Sequence, residues 1–204
     1  MAKIPGLVSA LSLSVLVALA AGCRVEEHKD SDGKNENVKI ATPFGGMSVK
    51  TDQAVVEGNV GLSTYPGAVL VKKDDGKDKG AADINMNFGS FHLGVKAISY
   101  TTPDAPDKVL AFYRKDMARY GAVILCADDH AVGTPEHTPD GLTCDKEKNS
   151  KIHVNDEKAQ QELKAGSKQH QHIVAIESKD GGTKFGLVAL DLPGNMGKDI
   201  KDVD

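Results

Sequence analysis

The chain contains no tryptophan, and its five Phe and four Tyr make up only 4% of 204 residues. A site that stacks sugars on aromatic platforms is therefore a poor match. Basic residues are not in excess. There are 25 Lys and Arg against 29 Asp and Glu, and removal of the leader described below takes only Lys3, leaving 24 against 29, a net charge of −5. Such a balance lacks the basic footprint that nucleic acid requires. After residue 23 there is no long apolar run, so nothing beyond it reads as a membrane-spanning helix. Common catalytic signatures are missing too: no Gly-x-Ser-x-Gly elbow, no His-Glu-x-x-His, and no Gly-x-x-x-x-Gly-Lys phosphate loop. Cysteine is scarce, with Cys23, Cys126 and Cys144 the complete set.

What is present begins with a leader over residues 1–22. Lys3 supplies a positive start, Leu7 to Leu19 is apolar but shorter than a bilayer span, and the small residues Ala20-Ala21-Gly22 precede Cys23. This is the pattern of a secretory signal. Around the cysteine, Leu19-Ala20-Ala21-Gly22-Cys23 resembles the lipobox of bacterial lipoproteins, with the leucine one place earlier than usual. The resemblance implies that Cys23 becomes the mature N-terminus and carries acyl chains, each contributing about 0.8 kcal/mol per buried methylene. The alternative is an ordinary cleaved signal with Cys23 incidental. Arg24, rather than an acidic residue, follows the cysteine. By analogy with lipoprotein sorting this favours the outer membrane, with the periplasmic or surface face left open.

Residues 23–37 read as a lipidated N-terminus and a flexible charged linker. Acidic and basic residues from Arg24 to Asn37 interleave with Ser, Gly and Asn without apolar periodicity. As a coil, such a segment reaches on the order of 20 Å. Residues 38–193 then suit a single α+β domain, mainly antiparallel β-sheet with one principal amphipathic helix (residues 104–120) packed on it, and residues 194–204 a frayed tail.

The helix is the best-marked element. Asp104 is placed to cap it, Pro106 lies in its first turn, and Val109, Leu110, Phe112, Tyr113, Met117 and Tyr120 recur at three- and four-residue intervals. Arg114, Lys115 and Arg119 favour the carbonyl end of the dipole, and Gly121 is a natural left-handed stop. The apolar run 122–127 then reads as a strand. Upstream, Val38, Ile40, Met47 and Val49 flank Thr42-Pro-Phe-Gly-Gly46 as a hairpin. Thr51 to Asn59 reads as polar connection, Ala68 to Val71 as a short strand, and Lys72 to Lys79 as a solvated loop. Ile84, Met86 and Phe88 alternate with polar residues, and Phe91, Leu93, Val95 and Ala97 continue after Gly89-Ser90, giving two strands or one bent strand. Asp156 to Lys164 suggests two helical turns ending before Gly166. Ile173 to Ile176 and Phe185 to Leu190 flank a glycine turn as another hairpin.

In order, Val38-Lys-Ile-Ala-Thr-Pro-Phe-Gly-Gly46, Tyr65-Pro-Gly-Ala68, Val109-Leu-Ala-Phe-Tyr113, Arg119-Tyr-Gly121 and Cys126 resemble a group of uncharacterised bacterial envelope lipoproteins. The resemblance implies a shared fold and location, and no activity.

Two kinds of site remain open. In an oxidising envelope, Cys126 and Cys144 are expected to form a disulfide. The rival is a zinc or copper site, since Cys126, His130, His137 and Cys144 form Cys-x3-His-x6-His-x6-Cys, a donor set that tetrahedral zinc accepts in an unusual spacing. His170 and His172, two apart beside a strand, would face one side and could share a metal. His92 and His153 have no evident partner. A third reading, a small hydrolase, would rest on Asp128, Asp129 and His130. The leading expectation is a membrane-anchored, non-catalytic envelope lipoprotein that needs no cofactor and binds the membrane through its lipid and an envelope protein as partner.

Overall fold

A computed structural model describes residues 22–29, 36–71, 80–144, 161–179 and 181–194. The leader before Gly22, the 72–79 loop, His153 and the tail beyond Gly194 lie outside the described residues.

Alternation and turn chemistry generate most of the architecture. The strands are β1 (Arg24–Lys29), β2 (Glu36–Thr42), β3 (Gly45–Lys50), β4 (Val69–Leu70), β5 (Ala81–Phe88), β6 (Phe91–Thr102), β7 (Ile124–Ala127), β8 (His130–Ala131), β9 (Gln161–Gly166), β10 (His170–Lys179) and β11 (Gly182–Asp191). They form one sheet in the order β1-β2-β3-β5-β6-β11-β10-β9-β7-β8, with β4 added alongside β6. Every pairing is antiparallel. The fold is thus α+β and mainly antiparallel sheet, as the periodicity predicts.

Among the described residues two helices lie on the sheet: the expected principal helix, α2 (Pro106–Met117), and a shorter one, α1 (Gln53–Val60). The sequence reading treats Thr51 to Asn59 as connection because the stretch is polar and Gly58 and Asn59 are weak helix formers; in the fold its buried stripe is only Val56 and Val60. Helix α1 forms because Asp52 Oδ1 accepts the Val55 N–H at 3.1 Å, Gly61 ends it at φ 72°, and both valines pack on β5 and β6. Glu57 on the same helix accepts the buried Tyr100 hydroxyl at 2.9 Å. Burial and that acid push the phenol up to about 12.

In α2 the expected apolar face is the buried one, with Val109, Tyr113 and Met117 fully covered and Leu110, Phe112 and Tyr120 packed against them. Its start is corrected. Pro106 disfavours helical geometry at its predecessor, so Ala105 is extended (φ −67°, ψ 151°) and becomes the cap residue without a side-chain bond. Asp104 instead ties three elements together. Its carboxylate accepts from Lys108 Nζ and the Tyr65 hydroxyl, both at 2.8 Å, and its carbonyl accepts from Thr183 Oγ1 at 2.6 Å. Residues 118–120 tighten into a 3-10 turn, and Gly121 adopts φ 116°, ψ −155°, a region open to glycine but not the left-handed helical one expected.

Two further expectations change. Arg24–Lys29 is a strand, so the expected linker supplies the outermost member of the sheet. Its charges suit an edge, and Glu26 stands directly opposite Lys39 across the ladder. Gln161–Gly166 is strand β9 rather than the second part of a helix, because ladders to β10 and β7 hold it on both sides and Leu163 and Ala165 alternate into the core. Residues 156–160 of that reading lie outside the described residues.

Five of the nine aromatic residues assemble the core under the helices: Tyr65, Tyr100, Phe112, Tyr113 and Phe185, with ring centroids 5.0–6.4 Å apart. The helices cover the sheet face that carries Ile98, Leu187, Val174 and Leu163. Consequently the apolar phase Ile84, Met86, Leu93 and Val95 faces the opposite side, while Asp83 and Lys96 share the helix side.

Candidate functional site

The cysteines settle into two environments. Cys126 on β7 and Cys144 at the end of the following loop are joined, with sulfurs 2.00 Å and Cα atoms 5.4 Å apart. Both are buried in a small second cluster with Ile124 and Leu142, packed by Ala131. Thr138, itself buried, shapes the loop by exchanging bonds with Leu142: its N–H reaches the Leu142 carbonyl and its Oγ1 accepts the Leu142 N–H, both at 3.0 Å. Cys23 is a free, exposed thiol one residue before β1.

The disulfide takes up the thiolates that the Cys126, His130, His137 and Cys144 metal set would need, and both histidines of that set are exposed. Among the described residues no three His, Cys, Asp or Glu converge on one point. Asp128 and Asp129, at φ 47° and 63°, are the two-residue turn of the β7–β8 hairpin, and His130 opens β8. All three lie at its tip and all three are exposed. Asp and Asn tolerate the left-handed conformation this turn demands, which accounts for the acids there.

His170 and His172 share a face of β10, as their spacing requires, but turn to different partners. His170 Nδ1 lies 2.9 Å from Asp191 Oδ1, directly across the ladder, and Lys96 Nζ is 3.2 Å from the other carboxylate oxygen. Partial burial opposes the Asp191 charge, yet the bonds from His170 and Lys96 outweigh it and hold its carboxyl below the usual range. His172 instead stacks on Tyr120, with centroids 3.6 Å apart and planes 15° from parallel. Its Nδ1 is buried without a hydrogen bond. Burial lowers its proton affinity, with Arg119 and Lys96 adding to the effect and Asp191 and Asp116 opposing it.

Around this stack the chain is tightly wired. The Gly61 carbonyl accepts from the Tyr120 hydroxyl and from Arg119 Nη2, the latter at 2.5 Å. Asp116 accepts the N–H and hydroxyl of Ser63, both at 2.9 Å, and lies 3.3 Å from Arg119. A shallow cleft of about 450 Å³ lined by Ser63, Phe112, Lys115, Asp116 and Arg119 opens beside it. Farther along the same face, the buried Asp83 accepts from Asn59 at 3.0 Å and Asn85 at 2.6 Å. These carboxylates are therefore already engaged in holding α1, α2 and the sheet in register.

Sequence reasoning identifies His170 and His172 but misses Lys96, Asp191 and Tyr120 as their surroundings, and Asp83 farther along the same face. Alternation places Asp83 and Lys96 on one strand face each, but pairing across distant strands decides that this is the helix-covered face. Compared with protein-family models, curated proteins and solved structures, the chain gives no match.

Proposed function

We propose that this protein is a lipid-anchored, non-catalytic binding module of the bacterial cell envelope, acylated at Cys23 and directed to the outer membrane. The observation that carries the reading is the division of its cysteines. Two are buried and paired, whereas Cys23 is exposed at the threshold of the folded sheet. The leader that ends at Gly22 and the lipobox-like residues before the cysteine supply the reason for acylation there.

The binding role rests on what the polar side chains do. The acids nearest the histidines are tied into structural bonds, and Asp128, Asp129 and His130 form the exposed tip of a hairpin. The partner in this reading is an envelope protein.

The test is fractionation of cells expressing the full chain or Cys23→Ser. The full chain should sediment with membranes and require detergent for release. The serine variant should accumulate as soluble protein or uncleaved precursor. Equal membrane association without an uncleaved leader would overturn the anchor.

A further inference from the structure

Acylation at Cys23 has a geometric consequence. Because β1 begins at Arg24, no long tether separates the lipid from the folded domain, and one residue of extended chain spans only about 3.5 Å. Whatever surface surrounds Cys23 is held at the bilayer.

Strand register identifies that surface. Arg24 pairs with Ala41, which places Cys23 beside Thr42 at the end of β2. Thr42 pairs with Gly45, Gly45 with Phe88, and Phe88 with Phe91. The β2–β3 turn, the β5–β6 turn and the anchor residue thus occupy one end of the sheet. Phe44 at the first turn is 84% exposed, and Phe88 and Phe91 flanking the second are 41% and 37% exposed. The next row inward contains Val25 and Ile40, exposed by 66% and 37%, followed by Met47, Met86 and Leu93. Of the chain's nine aromatics, five build the core and Tyr120 stacks on His172. The remaining three are these phenylalanines.

Charge points the same way. No Asp, Glu, Lys or Arg occurs between Lys39 and Lys50, nor between Asp83 and Lys96, in a chain that is 26% charged. Gly45 shows how closely this end is built. At φ 152° it lies against β5, where an added Cβ would come within 2.0 Å of the Asn87 carbonyl oxygen and 2.8 Å of the Phe88 ring. The Phe88 side chain therefore rests over bare backbone.

We infer that this end, whose two turns carry no Asp, Glu, Lys or Arg, is a membrane-docking surface: Phe44, Phe88 and Phe91, with Val25 and Ile40, enter the boundary between lipid headgroups and acyl chains beside Cys23. The inference rests on the lipid-anchor reading, which is what brings a bilayer to this end of the sheet. Arg24 stands next to the anchor, 2.6 Å from Glu26 but with its side chain 80% exposed, so anionic headgroups would compete with Glu26 for it. Lipid thereby covers an apolar cluster at the point where the chain leaves for the membrane.

The absence of tryptophan supplies a clean reporter. The chain beginning at Cys23 is coupled through that thiol to maleimide-bearing vesicles of phosphatidylethanolamine and phosphatidylglycerol, with the disulfide protecting the other two cysteines. Phe44→Trp is compared with Val69→Trp, an exposed position that pairs with Thr101 at the opposite end of β6. Brominated acyl chains should quench the indole of the Phe44→Trp chain roughly twofold, as expected for insertion within about 5–10 Å of the headgroup boundary. The indole of the Val69→Trp chain should be unchanged. Phe88→Ser with Phe91→Ser in the Phe44→Trp chain should weaken the quenching. If the pair disturbs folding, the comparison of the two reporters stands alone.

Equal quenching of both reporters, or of neither, overturns the docking surface. So does shielding of the Phe44→Trp indole that appears with protein concentration before any vesicle is added, which would assign this end to a second copy. Artificial coupling makes these outcomes independent of acylation in the cell. Failure of the anchor reading appears instead as an unmodified Cys23.

Discussion

Removing the disulfide by Cys126→Ala with Cys144→Ala gives the sharpest stability prediction. The two residues are 18 apart in sequence, and loop-closure entropy for a cross-link of that span is about 3 kcal/mol. The bond fastens the 132–144 loop over β7, near one edge of the sheet, where Ile124 and Leu142 complete a cluster separate from the core beneath the helices. The double variant should therefore retain native far-ultraviolet circular dichroism at 25 °C. It should lose about 3 kcal/mol in urea unfolding, equivalent to a Tm lowered by roughly 6–12 °C for a domain of this size. Wild type unfolded in the presence of reductant should match the variant within about 1 kcal/mol. The urea m-value should rise, because the unfolded chain without its cross-link exposes more surface. A loss below about 1 kcal/mol would refute the reasoning. So would thiols that react in the native protein before reduction.

Asp52→Ala removes the bond to the Val55 N–H and should cost about 1 kcal/mol by urea unfolding; no change would mean that α1 does not depend on its cap. Tyr113→Phe removes a buried hydroxyl that meets the Tyr65 backbone in at most a weak hydrogen bond, so stability should fall by no more than about 1 kcal/mol; a larger loss would reveal a stronger partner in solution. His172 binds its proton less readily in the fold than at its ordinary 6.5, so the unfolded chain takes up more protons below that pH. Stability should fall as pH drops through 6.5, and His172→Phe should flatten that limb; an unchanged limb would remove His172 as its source. Asp104 is held below its ordinary 3.8 by the bonds from Lys108 and then Tyr65, and Asp191 is also lowered. Their contribution is present above about 3.8 and lost as pH falls through their folded values. Asp104→Asn should shrink this lower limb, and identical acid curves would contradict the assignment.

The elements legible in sequence are those with local causes. The apolar face of α2 recurs with helical period, and the hairpins around Thr42 to Gly46 and Ser178 to Thr183 carry their own turn residues. The errors have nonlocal or competing causes. Asp104 has the right chemistry for a cap, but Pro106 moves the helix start and frees the carboxylate for Tyr65 and Lys108. Gln161 to Ala165 is rich in helix formers, yet pairing on both sides imposes a strand. The charges of β1 resemble a solvated linker because an edge strand and a linker both tolerate charge. The histidine surroundings are hidden for a nonlocal reason too. Asp191 and Lys96 are 95 residues apart and meet only through the β6–β11 register.

The central claim is an acylated domain closed by one disulfide, and intact mass tests it most directly. Protein purified from the cell envelope in detergent is weighed before and after thiol alkylation, with and without reduction. The account predicts a chain beginning at Cys23 that carries diacylglycerol and an N-acyl chain, with Cys126 and Cys144 alkylated only after reduction. A chain with an unmodified Cys23, or two further thiols that alkylate without reductant, would contradict it.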